Sequence, residues 1–336
     1  MGTTQSKQLL SAAQAGKMDV VRRALEDGVS TDINTVRDDA GRTPLWMSCE
    51  RGHVEITDLL LKAGSQPTAA TSSGESTIAG ATPMHAAADA NHFECIRLLL
   101  ASHASPDMQD SRGIVPLYAA AYRGHVESVR VLLDGKADIA RARDDGATAL
   151  HVACKGGRVG CVVALLQGGA SATQLMRGAT TALYLACAYG HGACVQSLLA
   201  RVPPSDETIE ELDWVTDSGQ TALFAACAER CDAAVAALLE AGARADIAEQ
   251  AGCYPLHAAC RAGAASIVER LLRCGADASL LFQGRSAQQC AEYASQWQAA
   301  RAVRDHLQAS GLSAVREPPK ALIGVSTISS TRARSM

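Results

Sequence analysis

The chain has 336 residues, 48% of them hydrophobic but only 4% aromatic, with 20% charged and a formal net charge of -4. That balance excludes the basic surplus that advertises a nucleic-acid partner and the strong acidic excess of a solvating disordered chain. No apolar run of about 18 residues and no charged-then-apolar leader stands out, so the sequence predicts neither a membrane span nor a secretory signal, but a cytoplasmic or nuclear protein.

In chain order, residues 1–5 form an N-terminal segment. With Ser6 they match the M-G-x-x-x-[ST] pattern for myristoylation, Gly2 being the acceptor. One acyl chain gives only marginal, peripheral membrane contact, and Lys7, Lys17, Arg22 and Arg23 add a thin second signal. The opposing reading is an ordinary initiator segment.

From Ser6 to Ser310 one pattern returns. Leu117, Leu150 and Leu183 stand 33 residues apart, as do Leu223 and Leu256. Around each, Thr or Pro comes just before, Ala or Cys three and four residues after, and a second apolar run ends in Leu-Leu. "GIVPLYAAAYRGHVESVRVLLDGKAD" from Gly113 and "GATALHVACKGGRVGCVVALLQGGA" from Gly146 show the grammar. It predicts helix, tight turn, helix and extended hairpin. Thr43 and Thr82 are placed to N-cap a first helix, with Pro44 and Pro83 at its first position, where no donor is lost. Gly52, Gly124, Gly157, Gly190 and Gly263 end that helix in a left-handed turn, and Asn91 substitutes for one of them. Val129, Leu132 and Leu133 form one apolar face of a second helix. A single hairpin cannot cover such a face; stacked neighbours can.

Three departures stand out. Glu229-Arg230-Cys231 occupies a Gly-His turn, which is therefore strained or remodelled. The intervals Thr43 to Thr82 and Thr181 to Thr221 are long, at 39 and 40, with the extra residues at "AATSSGESTIAG" and "ARVPPSDETIEELDWV". The second insertion holds Glu207, Glu210, Glu211, Asp213 and Trp214, a loop that either grips a partner or folds its indole back onto the stack. The last unit, "GRSAQQCAEYASQWQAARAVRDHL", carries Gln, Ser and Arg at outer positions and reads as a water-facing cap; residues 311–336 read as a flexible basic tail containing Ser, Thr and Pro.

Twelve cysteines form no C-x-x-C pair. Cys154 and Cys187, Cys161 and Cys194, and Cys227 and Cys260 repeat at 33, in slots that elsewhere hold Ala or Ser, so they read as small buried hydrophobes rather than bridges or metal ligands. His85, His151 and His257 share a slot with Trp46, Tyr118, Tyr184 and Phe224, which no catalytic base or metal ligand would. Neither a catalytic motif nor a cofactor or metal signature is found.

The "TPLW", "TPMH", "TALH" and "YPLH" openings, the "RGH" and "YGH" turns and the "LLDGKAD" and "LLRCGAD" closings resemble the ankyrin repeat family over roughly Ser6 to Ser310. The resemblance implies an all-α ankyrin-repeat solenoid of stacked helix-turn-helix units with β-hairpin loops. Nine units start near Ser6, Asp39, Glu75, Ser111, Asp145, Gly178, Ser218, Ala251 and Gly284. It also implies that the histidines of the opening slot bond to the capping Thr, and that hairpin tips and first-helix ends make a concave binding wall. Carried onto this chain, the wall offers Arg51, Asp89, Arg112, Ile114, Tyr122, Arg123, Lys155, Tyr189 and Trp214 to a protein partner; Tyr and Arg are favoured at interface hot spots. Arg141, Arg143 and Arg158 widen a positive patch there, which Asp144 and Asp145 dilute. The expected protein is a monomeric, non-catalytic scaffold or adaptor that binds no nucleic acid. A myristoylated membrane-associated adaptor and an enzyme or metal-binding protein using the Cys- and His-rich groove are the alternatives.

Overall fold

The computed structural model describes residues 4–26, 33–72, 79–200 and 212–310. Among them, helices come in nine pairs: α1 (Thr4–Ala15) and α2 (Met18–Glu26), α3 (Pro44–Arg51) and α4 (Val54–Lys62), α5 (Pro83–Asp89) and α6 (Phe93–Ala101), α7 (Pro116–Arg123) and α8 (Val126–Asp134), α9 (Ala149–Lys155) and α10 (Val159–Gln167), α11 (Ala182–Ala188) and α12 (Gly192–Leu199). The series continues with α13 (Ala222–Ala228) and α14 (Asp232–Glu240), α15 (Pro255–Ala262) and α16 (Ala265–Arg273), and α17 (Ala287–Tyr293) and α18 (Trp297–Ala309). Odd-numbered helices pack on one another in succession, and even-numbered helices form a second row behind them. This is the expected solenoid. Its first helix starts at Thr4, inside the segment set apart as 1–5.

Local chemistry starts each pair as the sequence predicts. Thr43, Thr181 and Thr221 accept from the backbone amides of Trp46, Tyr184 and Phe224 at 3.1 Å. Thr82 uses a box: its amide donates to Nδ1 of His85 at 3.1 Å and its hydroxyl lies 2.8 Å from the same nitrogen. A nitrogen that accepts an amide hydrogen carries none, so the proton sits on Nε2, which donates to the carbonyl of Ile114 in the next hairpin at 2.9 Å. Thr148 and His151 repeat the box. His257 departs from it, because Tyr254 stands where the capping Thr would be; both ring nitrogens are buried without a hydrogen-bond partner. Burial lowers its pKa to about 4, with backbone groups of Leu280 and Arg285 opposing the shift.

The turns carry a second function. The five predicted glycines have φ between 65° and 87°, and the histidine after three of these turns ties its repeat to the one before. His53 bonds the carbonyl of Gln14, His125 that of Asp89 and His191 that of Lys155, at 3.0 to 3.1 Å. Gly52 shows why no side chain fits: beyond its φ of 71°, a Cβ there would lie 2.3 Å from the ring of His92. Asn91 takes the turn at φ 63°. The irregular Arg230 is strained rather than remodelled, held at φ 58°, and the Cys231 thiol replaces the histidine by donating to the carbonyl of Gly190 at 3.4 Å.

The core lies between the two rows. Leu45, Met84, Leu117, Leu150, Leu223 and Leu256 are fully buried, whereas Leu183 on α11 is only half-buried, in the repeat before the long insertion. All twelve cysteines are free thiols, ten of them buried. Burial pushes Cys154 and Cys187 well above the ordinary thiol range and Cys260 to about 12. Among the described residues, five junctions between successive hairpins are closed by a backbone bond, as from Ser111 to Ala79 at 3.0 Å and from Gln250 to Ser218 at 3.1 Å. One pair, Leu281–Phe282 (β1) with Arg285–Ser286 (β2), is regular antiparallel strand among the described residues.

Candidate protein-interaction surface

The first-helix ends and hairpin tips lie side by side and form two depressions. A central groove of about 460 Å³ is bounded by α3, α5 and α7 and by the hairpin before α7. It brings together Asp89, Arg112, Ile114, Tyr122 and Arg123 from the predicted set, and adds Trp46, Glu50, His85, Tyr118 and Arg143. The added aromatics sit in the slot shared with His85 and are buried beneath the groove.

The groove is polar but its charges are internally paired. Arg123 donates from Nε and Nη2 to the two carboxylate oxygens of Asp89, one repeat earlier, at 2.7 and 3.0 Å. That pair is half exposed, so it adds at most about 1 kcal/mol of stability; its consequence is to fix the guanidinium beside Tyr122, 5.8 Å from the ring centre. Arg112 forks onto Asp110 at 2.7 and 3.0 Å, and the other oxygen of Asp110 accepts the amides of Arg112 and Ile114. Arg143 lies over Tyr118 at 5.7 Å and 3.7 Å from Asp145. Of the positive patch expected here, Arg143 is thus paired with a carboxylate, while Arg158 turns onto the carbonyl of Tyr122 at 3.3 Å. Tyr122, 55% exposed, is left as a large amphipathic contact surface.

The remaining predicted residues are spread along the stack. Lys155 and Tyr189 meet each other, ammonium to ring at 5.3 Å, further along the first-helix row. Arg51 is outside the groove lining and pairs with Glu50 at 3.6 Å. Trp214 folds back onto the stack, its indole N–H donating to the carbonyl of Ala179 at 3.0 Å, while 45% of the residue stays exposed. It stands apart from the central groove. Gly2, the tail from 311, and Glu207, Glu210 and Glu211 lie outside the described residues.

A larger cleft of about 810 Å³ was not singled out from the sequence. It is lined by Phe224 on α13, Arg261 on α15, Phe282 and Arg285 of the strand pair, and Cys290 and Tyr293 on α17. Tyr293 follows Gln288 by five residues as Tyr122 follows Leu117, so the signal was a shared slot, hidden by reading the last unit as a polar cap. That cap in fact exposes Tyr293 at 76% and Trp297 at 66%. Among the described residues, no group of three or more His, Cys, Asp or Glu could hold a metal, and no helix is long and apolar enough to cross a membrane.

Comparison with known proteins agrees with this architecture. A family model for ankyrin repeats in three copies matches residues 9–110, 84–175, 117–206 and 167–249, and a single-repeat model matches 251–281. The chain is 36% identical over 100 residues to the E3 ubiquitin-protein ligase XBAT33 of Arabidopsis thaliana, covering 30% of this chain and 18% of that protein. It is 38% identical over 90 residues to the probable E3 ubiquitin-protein ligase XBOS33 of Oryza sativa subsp. japonica, 27% of this chain and 16% of the relative. It is 41% identical over 58 residues to the human ankyrin repeat domain-containing protein 63, 17% of this chain and 14% of the relative. The matched stretches thus span less than a fifth of each relative. A period of 33 residues, paired helices tied by turn histidines, and family models covering most of its length together show that this chain belongs to the ankyrin-repeat family, whose repeats serve protein interaction.

Proposed function

We propose that the protein is a non-catalytic scaffold or adaptor that binds a protein partner on its concave wall, centred on Tyr122 and Arg123. The observation that carries this reading is the exposed Tyr122 beside a guanidinium held in place by Asp89, over a groove that spans three successive first helices. Such an arrangement supplies large contact area and oriented hydrogen-bond donors at little entropic cost, which is the chemistry of an interface hot spot. The ligase relatives match this chain only through its repeats, so their catalytic activity is not carried over.

The test is affinity purification from the native cell with the wild-type chain, with Tyr122→Ala plus Arg123→Ala, and with Arg130→Ala, an exposed position on α8, as a control for the opposite row. The double variant loses partners that the control retains. Partners held equally by all three would remove the central groove from the reading.

A further inference from the structure

The arginines of the concave wall fall into two electrostatic classes. Those of the central groove lie against aspartates of the chain itself. In the larger cleft, Arg261 and Arg285 have no carboxylate partner among the described residues. The Arg285 guanidinium lies over Tyr293, 4.3 Å from the ring centre, and Arg261 lies by the Cys253 thiol, where it opposes the larger upward push of burial on that thiol's pKa. Both arginines line the same cleft as Cys290, where burial raises the thiol's pKa and the two guanidiniums oppose that shift. Two arginines set against a single lining carboxylate, Glu249, leave net positive charge beside Phe224, Phe282 and Tyr293, a site suited to negative charge and apolar surface.

The shape selects among anions. The lining comes from α13, α15 and α17, three stacked helices, so the cleft runs over two interhelical spacings of about 8–10 Å each. At about 3.3 Å per residue, that length accommodates an extended segment of roughly six residues. Glu249 lines the same cleft and opposes a uniformly anionic strand such as nucleic acid, which would need a stripe of cations rather than two. The basic end of this chain, with Arg332 and Arg334, has the wrong sign to fill it.

We infer that the cleft lined by Arg261, Arg285, Phe224, Phe282 and Tyr293 docks an extended acidic peptide segment of a partner protein, one carboxylate against the two arginines and an apolar side chain against the aromatic walls. The inference rests on the partner-binding reading above but places a specificity-determining contact in a different part of the wall.

Panning a phage-displayed library of random dodecapeptides against the full chain tests it. Selected peptides are expected to be enriched in Asp and Glu beside an apolar residue. Measured by fluorescence anisotropy, they bind Arg261→Gln plus Arg285→Gln at least about tenfold more weakly, bind Tyr122→Ala plus Arg123→Ala unchanged, and weaken as salt rises. Unchanged circular dichroism and melting midpoint show that the arginine variant is folded. Selection of no peptide, peptides without acidic enrichment, or undiminished binding to the arginine variant would overturn the proposal. So would arginine-dependent binding of single-stranded DNA or phosphatidylserine vesicles in place of peptides. Loss of cellular partners in the Tyr122 variant alone would sink this inference and spare the central groove; loss in the arginine variant alone would do the reverse.

Discussion

His257 is fully buried beside Tyr254 and Phe282, with ring centres 5.8 and 6.0 Å away, and lacks the threonine partner that His85 and His151 possess. Its folded state stays neutral down to about pH 4, whereas the unfolded chain takes up the proton near the ordinary 6.5. Between those values the unfolded state binds more protons, so stability is complete above 6.5 and falls as pH drops towards 4. The gap corresponds to about 3 kcal/mol. Denaturant titrations across this window are expected to show that His257→Leu flattens the acid limb by about that amount; an unchanged slope would mean the ring is not held neutral. Thiols offer a second check. Cys274 is exposed and Cys231 half-buried, while the other ten are buried, so native labelling with a disulfide reagent should modify Cys274 first, Cys231 slowly and the rest only after unfolding.

The helical hairpin is governed by its turn. At Arg230 the left-handed conformation costs about 1–2 kcal/mol for a residue with a Cβ, and Arg230→Gly should raise the unfolding midpoint by part of that amount, offset by greater freedom in the unfolded chain. Gly52→Ala should do the opposite and lose more than about 1 kcal/mol, because it adds a clash with the His92 ring to the same backbone penalty. Equal midpoints for both variants and the wild type would show that the turns do not limit stability. These turn features were legible in the sequence because capping and left-handed turns depend on residues within a few positions of each other. The hydrogen bond from the histidine after three of these turns was not. It runs to a carbonyl in the preceding repeat, as from His125 to Asp89, 36 residues away.

Stacking makes the chain quasi-one-dimensional: each helical pair touches its neighbours and little else. End pairs are supported on one side only, so hydrogen exchange should be fastest in α1–α2 and α17–α18 and slowest around α7–α10, with a dip at α11, where Leu183, Tyr184 and Leu185 are only half-buried. Uniform protection across all nine pairs would indicate a single cooperative unit instead. The same architecture lets two grooves on one wall differ in charge without disturbing each other's packing.

Period, helix order, turn positions and the fate of the cysteines could all be read along the chain, because each follows from short-range sterics and from which slots tolerate only small apolar side chains. The candidate wall was half legible: Asp89, Arg112, Ile114, Tyr122 and Arg123 do share a groove. What needed three dimensions was the neutralisation of those arginines by aspartates and the gathering of Arg261, Arg285 and Tyr293 into a second cleft. A formal charge of -4 counts ions without pairing them. Pairing depends on which side chains of successive repeats come within a few ångströms, and only the stacked backbone sets that distance.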